Sequence, residues 1–245
     1  MQRRVVVPFV FCLGVLAFQM NAATIPITFT QLTGLTGGSP AETAVYRADL
    51  SGVALTSILS IAIADSSFGL GGAAGQFSGF DLDAVKLSTT LCTTATCAAA
   101  LAGMPVFNFS AAGTIFAPGT QRAPADAKLF GTDATGSNVD NAVATLGLFD
   151  GNSTTAIPGA FGFVSLGDGG TLAFNLTSAI SPSSLYLYIG EVGDNGEVAA
   201  GRITVSDTQA GTPEPASFLL IGSGLLLARL FARRRLVFAR LRART

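Results

Sequence analysis

The chain has 245 residues, with 14 Lys+Arg against 15 Asp+Glu and no histidine. That absence excludes Ser-His and Cys-His catalysis, His-ligated zinc or haem, and any imidazole pH switch. Charge is segregated: arginines hold both ends, while between Thr24 and Pro215 five basic residues face all 15 acids, a net of −10 that excludes a phosphate-neutralising nucleic-acid binder.

Arg3 and Arg4 precede an uncharged apolar run from Val5 to Phe18, and the small residues Ala22 and Ala23 follow. Fourteen residues are too few to span a bilayer core of roughly 30 Å. The pattern predicts a secretory signal peptide over residues 1–23, removed by a signal peptidase. Cys12 leaves with it.

From residue 24 to 211 the composition is Gly, Ala, Thr and Ser with scattered Phe, and apolar residues recur at period two. Alternation at Ile25, Ile27 and Phe29 predicts a first strand, and further strands are expected at Thr56 to Ala64, Phe80 to Leu87, Phe107 to Phe109, Phe161 to Leu166, Leu172 to Leu176, Leu185 to Ile189 and Arg202 to Val205. Turn signals separate them at Gly37-Gly38, Gly71-Gly72, Asp150-Gly151, Asp168-Gly169-Gly170 and Asp194-Asn195-Gly196. A short helix is expected over Thr96 to Leu101. Many short strands with glycine-rich turns predict an all-β fold, an antiparallel β-sandwich of jelly-roll-like form, with a barrel as the alternative.

Cys92 and Cys97 are the pair that remains after signal removal, and in an oxidising compartment they predict a disulfide pinning a short loop. A redox site would need Cys-x-x-Cys within an α/β pattern, and neither is present. Three acidic groups are candidate ligands for a structural calcium ion: Asp81 with Asp83, Asp168 in its glycine turn, and Glu191 with Asp194 and Glu197. The competing reading is that these are solvated acids. Paired carboxylates also raise glycosidase chemistry, which needs two acids across a cleft lined for sugar. There is no tryptophan, and only Tyr46, Tyr186 and Tyr188 could stack on a sugar ring; packing of the last two against a neighbouring strand is the simpler reading. Asn108, Asn152 and Asn175 match Asn-x-Ser/Thr, a pattern that so Ser/Thr-rich a chain produces by chance.

The C-terminal segment over residues 212–245 is the most specific part. Pro213-Glu214-Pro215 forms an extended, helix-excluding stretch, an apolar run follows from Ala216 to Ala228, and Arg233-Arg234-Arg235 closes it. The run predicts one marginal transmembrane helix with a cytoplasmic arginine stop. This arrangement resembles the PEP-CTERM family of exported proteins. The resemblance implies a sorting signal, Pro213, Glu214 and Pro215 with Arg233, Arg234 and Arg235, that is cut by a membrane-embedded exosortase. It implies a precursor anchored in the inner membrane and then passed to the cell envelope, outer surface or extracellular matrix, in bacteria that make exopolysaccharide and biofilm matrix. The tail from Leu236 to Thr245 is longer than the family's usual basic end.

The expectation is therefore a signal peptide (1–23), a β-sandwich body (24–211) and a sorting signal (212–245), with a non-catalytic structural or interaction role. The alternatives are a polysaccharide- or protein-binding module and a carboxylate-based hydrolase.

Overall fold

The computed structural model describes residues 23–38, 40–67, 69–71, 73–153, 162–193 and 203–211. Ala22–Thr212 form one compact unit. The expected signal peptide up to Ala22, the sorting signal, the C-terminal helix and the candidate ligands Asp194 and Glu197 lie outside the described residues. No helix among the described residues is long and apolar enough to cross a membrane.

Twelve strands are described: β1 (Thr24–Pro26), β2 (Thr30–Thr36), β3 (Pro40–Ala41), β4 (Thr43–Asp49), β5 (Ile58–Ala64), β6 (Asp81–Ser88), β7 (Thr114–Ala117), β8 (Asn152–Ser153), β9 (Val164–Ser165), β10 (Thr171–Ile180), β11 (Tyr186–Val192) and β12 (Ile203–Ser206). Helix α1 (Ala95–Ala100) and the single turn α2 (Asn141–Ala144) are the α-helices among them. The strands form two five-stranded sheets, β1-β12-β5-β10-β7 (sheet A) and β2-β4-β11-β6-β9 (sheet B), with β3 and β8 as a separate pair. All strand pairings are antiparallel. The chain passes from β4 in sheet B to β5 in sheet A, back to β6, and likewise from β10 through β11 to β12. The chain thus alternates between two antiparallel sheets, so the described body is an all-β sandwich.

Period two explains the core. Leu187 and Ile189 of β11, Val85 and Leu87 of β6, Ile61 and Ile63 of β5, Leu172 and Phe174 of β10, and Ile203 and Val205 of β12 all point between the sheets and are buried together. Each such side chain contributes about 1.5–3 kcal/mol by leaving water.

Two sequence expectations need correction. Phe107 and Phe109 are not in a strand, although Phe107 makes a lone bridge to Leu176. The Asn108 side chain accepts the Ser110 N–H (3.1 Å) and turns the backbone, while the two rings stack 5.5 Å apart and meet Phe174 edge-on. Strands β2, β4 and β7 were not expected. In β4 the inward positions Ala44, Tyr46 and Ala48 alternate with Thr43, Val45 and Arg47, and small residues facing inward give little apolar contrast.

Candidate functional site

The outward face of sheet B is not open. The loop after β6 folds back over it, carrying Cys92, Cys97 and α1, and buries Leu32, Val45, Ala84, Cys92, Ala95, Ala98, Phe149 and Tyr188 as a second apolar cluster. Cys92 and Cys97 are paired, with Sγ atoms 2.00 Å and Cα atoms 5.6 Å apart. Thr94 caps α1 by accepting the Cys97 N–H. Three side chains of sheet B hold this cover. Tyr188 is fully buried, and its hydroxyl accepts from Cys92 N (2.8 Å) and donates to Thr90 O (2.7 Å). Arg47 donates to Cys92 O (2.7 Å) and lies over the Tyr186 ring. Lys86 Nζ donates to Ala99 O (3.1 Å) and Leu101 O (2.8 Å) at the C-terminal end of α1, where a cation is favoured. Burial pushes the Tyr188 hydroxyl above its usual range, against its hydrogen bond from Cys92 and the Arg47 charge. Tyr188 is therefore a packing residue, not half of a sugar platform.

The acids behave differently from free ligands. Asp81 and Asp83 lie in β6, within the strand expected from Phe80 to Leu87, but both are buried rather than solvated. The Asp81 carboxylate accepts from Ser165 Oγ of β9. Asp83 is 0 % exposed; it accepts from Thr43 Oγ1 of β4 and from Gly151 N (3.2 Å), the residue after Asp150. Asp150 in turn accepts from Thr145 Oγ1 at 3.0 and 3.1 Å. Burial pushes the Asp83 carboxyl well above its usual range, with Asp150 adding to the rise, and burial likewise raises Asp150. Lys86, lowered chiefly by burial, is the cation that faces the pair. Burial of Asp83 and the like charge of Asp150 beside it both disfavour ionising the two carboxyls together, so the shift at each is toward the protonated form, against the Lys86 charge.

Asp168 accompanies Arg122 in an ion pair (3.4 Å). Glu191 continues the inward series of Leu187 and Ile189 on β11, opposite Ala44 and Leu82, and is 1 % exposed. Among the described residues no group of three or more His, Cys, Asp or Glu side chains comes together to hold a metal ion. Asp81, Asp83 and Asp168 each have internal partners instead. Sequence reasoning named Asp83 but missed Asp150, Thr43 and Lys86: Asp150-Gly151 reads as a turn, and a turn acid gives no signal that its side chain folds inward.

A shallow groove of about 180 Å³ adjoins Lys86, lined also by Met104, Pro105, Phe107, Phe109 and Gly147, and no carboxylate lines it.

The comparisons bear on the other end of the chain. The family model of the PEP-CTERM protein-sorting motif matches residues 212–235. The chain carries a PEP-CTERM protein-sorting motif. The match spans Pro213, Glu214, Pro215, Arg233, Arg234 and Arg235. The PEP-CTERM motif implies an exported, membrane-anchored precursor that is processed by an exosortase and sorted to the envelope. No curated protein and no solved structure matches the chain.

Proposed function

We propose that this protein is delivered to the cell surface or extracellular matrix, where its β-sandwich serves a non-catalytic structural or interaction role. The observation that carries the reading is the PEP-CTERM motif at residues 212–235, immediately after a folded body whose last described residue is Gly211. A signal peptide over residues 1–23 starts export, and a single C-terminal helix holds the precursor in the inner membrane until the exosortase acts. The disulfide of Cys92 and Cys97 forms once the body is in an oxidising space. What supports a non-catalytic body is where its acids sit: Asp83 is out of reach of any substrate, and the open groove has no acid in its wall. Exopolysaccharide or a matrix protein is the partner class that fits the destination, and the half-buried Phe107 and Phe109 in the groove are where such a contact would be sought.

The test is maturation in the cell of origin. Replacing Glu214 by Ala, or Arg233, Arg234 and Arg235 together by Ala, should leave export intact and trap uncut precursor in the inner membrane. Variants that mature and distribute like wild type would sink the sorting reading.

A further inference from the structure

The outward face of sheet A carries a polar row. The register places Thr24 of β1, Ser206 of β12, Ser60 of β5 and Asn175 of β10 side by side across four neighbouring strands. They alternate with the inward residues Ile25, Val205, Ile61 and Phe174. After β12 the chain follows this row. Ser60 Oγ donates to Thr208 O (2.7 Å), on β5. One strand further, Asn175 takes both backbone groups of the next anchor: its amide donates to Ala210 O (3.2 Å) and its carbonyl accepts from Ala210 N (2.7 Å). Beyond that, a Cβ on Gly211 would come within 2.5 Å of Ile115 Cδ1, on edge strand β7. Residues 207–211 are thus a strap laid across the sheet, and each strand it crosses supplies a contact.

The strap ends almost at the sorting motif. Three residue steps separate Ala210 from Pro213, about 10 Å at full extension. Extended chains are commonly recognised through their main-chain N–H and C=O groups, as when a peptide adds a strand to a sheet edge. Here the nearest upstream N–H and C=O pair beyond Gly211 and Thr212 belongs to Ala210, and Asn175 already holds both.

We propose that the strap 207–211 is a releasable lock on sorting: while Asn175 and Ser60 hold it, the exosortase is denied the chain upstream of Pro213, and release of the strap sets the rate of maturation. The proposal rests on the sorting reading above. It assigns Asn175 a role that an Asn-x-Thr pattern does not suggest.

The experiment is pulse-chase of the full chain in a host carrying the sorting system. The double variant Asn175→Ala with Ser60→Ala should be cut at least about threefold faster than wild type. A flexible six-residue Gly-Ser insertion between Gly211 and Thr212 should do the same, and it leaves every contact of the body in place, so a folding defect cannot imitate the result. Unchanged or slower cutting of the insertion variant overturns the lock. The Glu214→Ala chain, run in parallel, separates the two readings: if it is cut like wild type, sorting itself is refuted, whatever the strap variants do.

Discussion

The two outer faces of the sandwich are covered by different means. Over sheet B lies a loop closed by Cys92 and Cys97, with an apolar cluster beneath it and Tyr188, Arg47 and Lys86 tying it down. Over sheet A lies a strap that buries little, has Thr208 and Gln209 exposed, and is held through polar side chains. The first cover combines covalent closure, desolvated hydrogen bonds and hydrophobic burial, so its removal costs several kcal/mol. The second rests on hydrogen bonds exchanged with water, about 1 kcal/mol each. One face is built to stay shut, and the other is built so that it can open.

The largest expected effect tests the permanent cover. Tyr188→Ala removes a fully buried ring and both hydroxyl bonds, and unfolding of the mature protein in denaturant should show a loss of about 3–5 kcal/mol. Tyr188→Phe keeps the ring and strands Cys92 N and Thr90 O, for about 1–3 kcal/mol. Equal effects of the two would mean that the hydroxyl, not the burial, carries the cover. Next in size is the disulfide. Replacing Cys92 and Cys97 by Ala frees a loop with a sequence separation of 5, for which chain entropy gives about 2 kcal/mol. A loss well above that would show the loop to be held mainly by its bond rather than by Tyr188, Arg47 and Lys86.

Proton linkage at Asp83 and Asp150 comes third. The folded pair has raised pKa values, so between the unfolded carboxylate range and those raised values the native state holds more protons than the unfolded chain. The stabilisation is complete below the unfolded range and is lost as pH rises through the folded values, with a slope of at most about 1.4 kcal/mol per pH unit for one proton. Asp83→Asn keeps the shape and carries no titrating proton. Denaturation midpoints across pH should therefore fall with rising pH in wild type more steeply than in the variant. Parallel pH profiles would show that folding does not raise the pair toward its protonated form.

What the sequence made legible follows from how each feature is encoded. Strands such as β11, with Leu187 and Ile189 alternating against two tyrosines, carry their burial in residue type, and the helix at α1 is signalled by its alanines and by Thr94 before it. Strand β4 was hidden because its buried positions Ala44 and Ala48 carry small side chains that contrast little with their neighbours. The sorting motif was legible because it is local: three residues, a run and a cluster in fixed order. The acid pair was not, because Asp83 and Asp150 meet only once the loop after α2 returns to β6, and the strap was not, because Ser60, Asn175 and Ala210 are joined by sheet register alone. Local chemistry reads directly from a sequence, whereas contacts made by register need the fold.

The smallest expected effect bears on the releasable cover, and it separates local opening from loss of the fold. Asn175→Ala removes two hydrogen bonds at a half-buried site where water can replace them, so the global stability of the mature protein should fall by only about 1–2 kcal/mol. The local consequence should be much larger in proportion. The Ala210 amide has Asn175 as its acceptor, so its hydrogen exchange should accelerate to the rate of an exposed chain, while amides inside the strands, such as those of Ile61 and Ile189, keep the protection set by global unfolding. The Cys92 amide, bonded to Tyr188 under the other cover, is the internal control and should not change. If Ala210 and Cys92 lost protection together, the strap and the disulfide loop would belong to one cooperative unit, and the contrast between a fixed and a releasable face would fail.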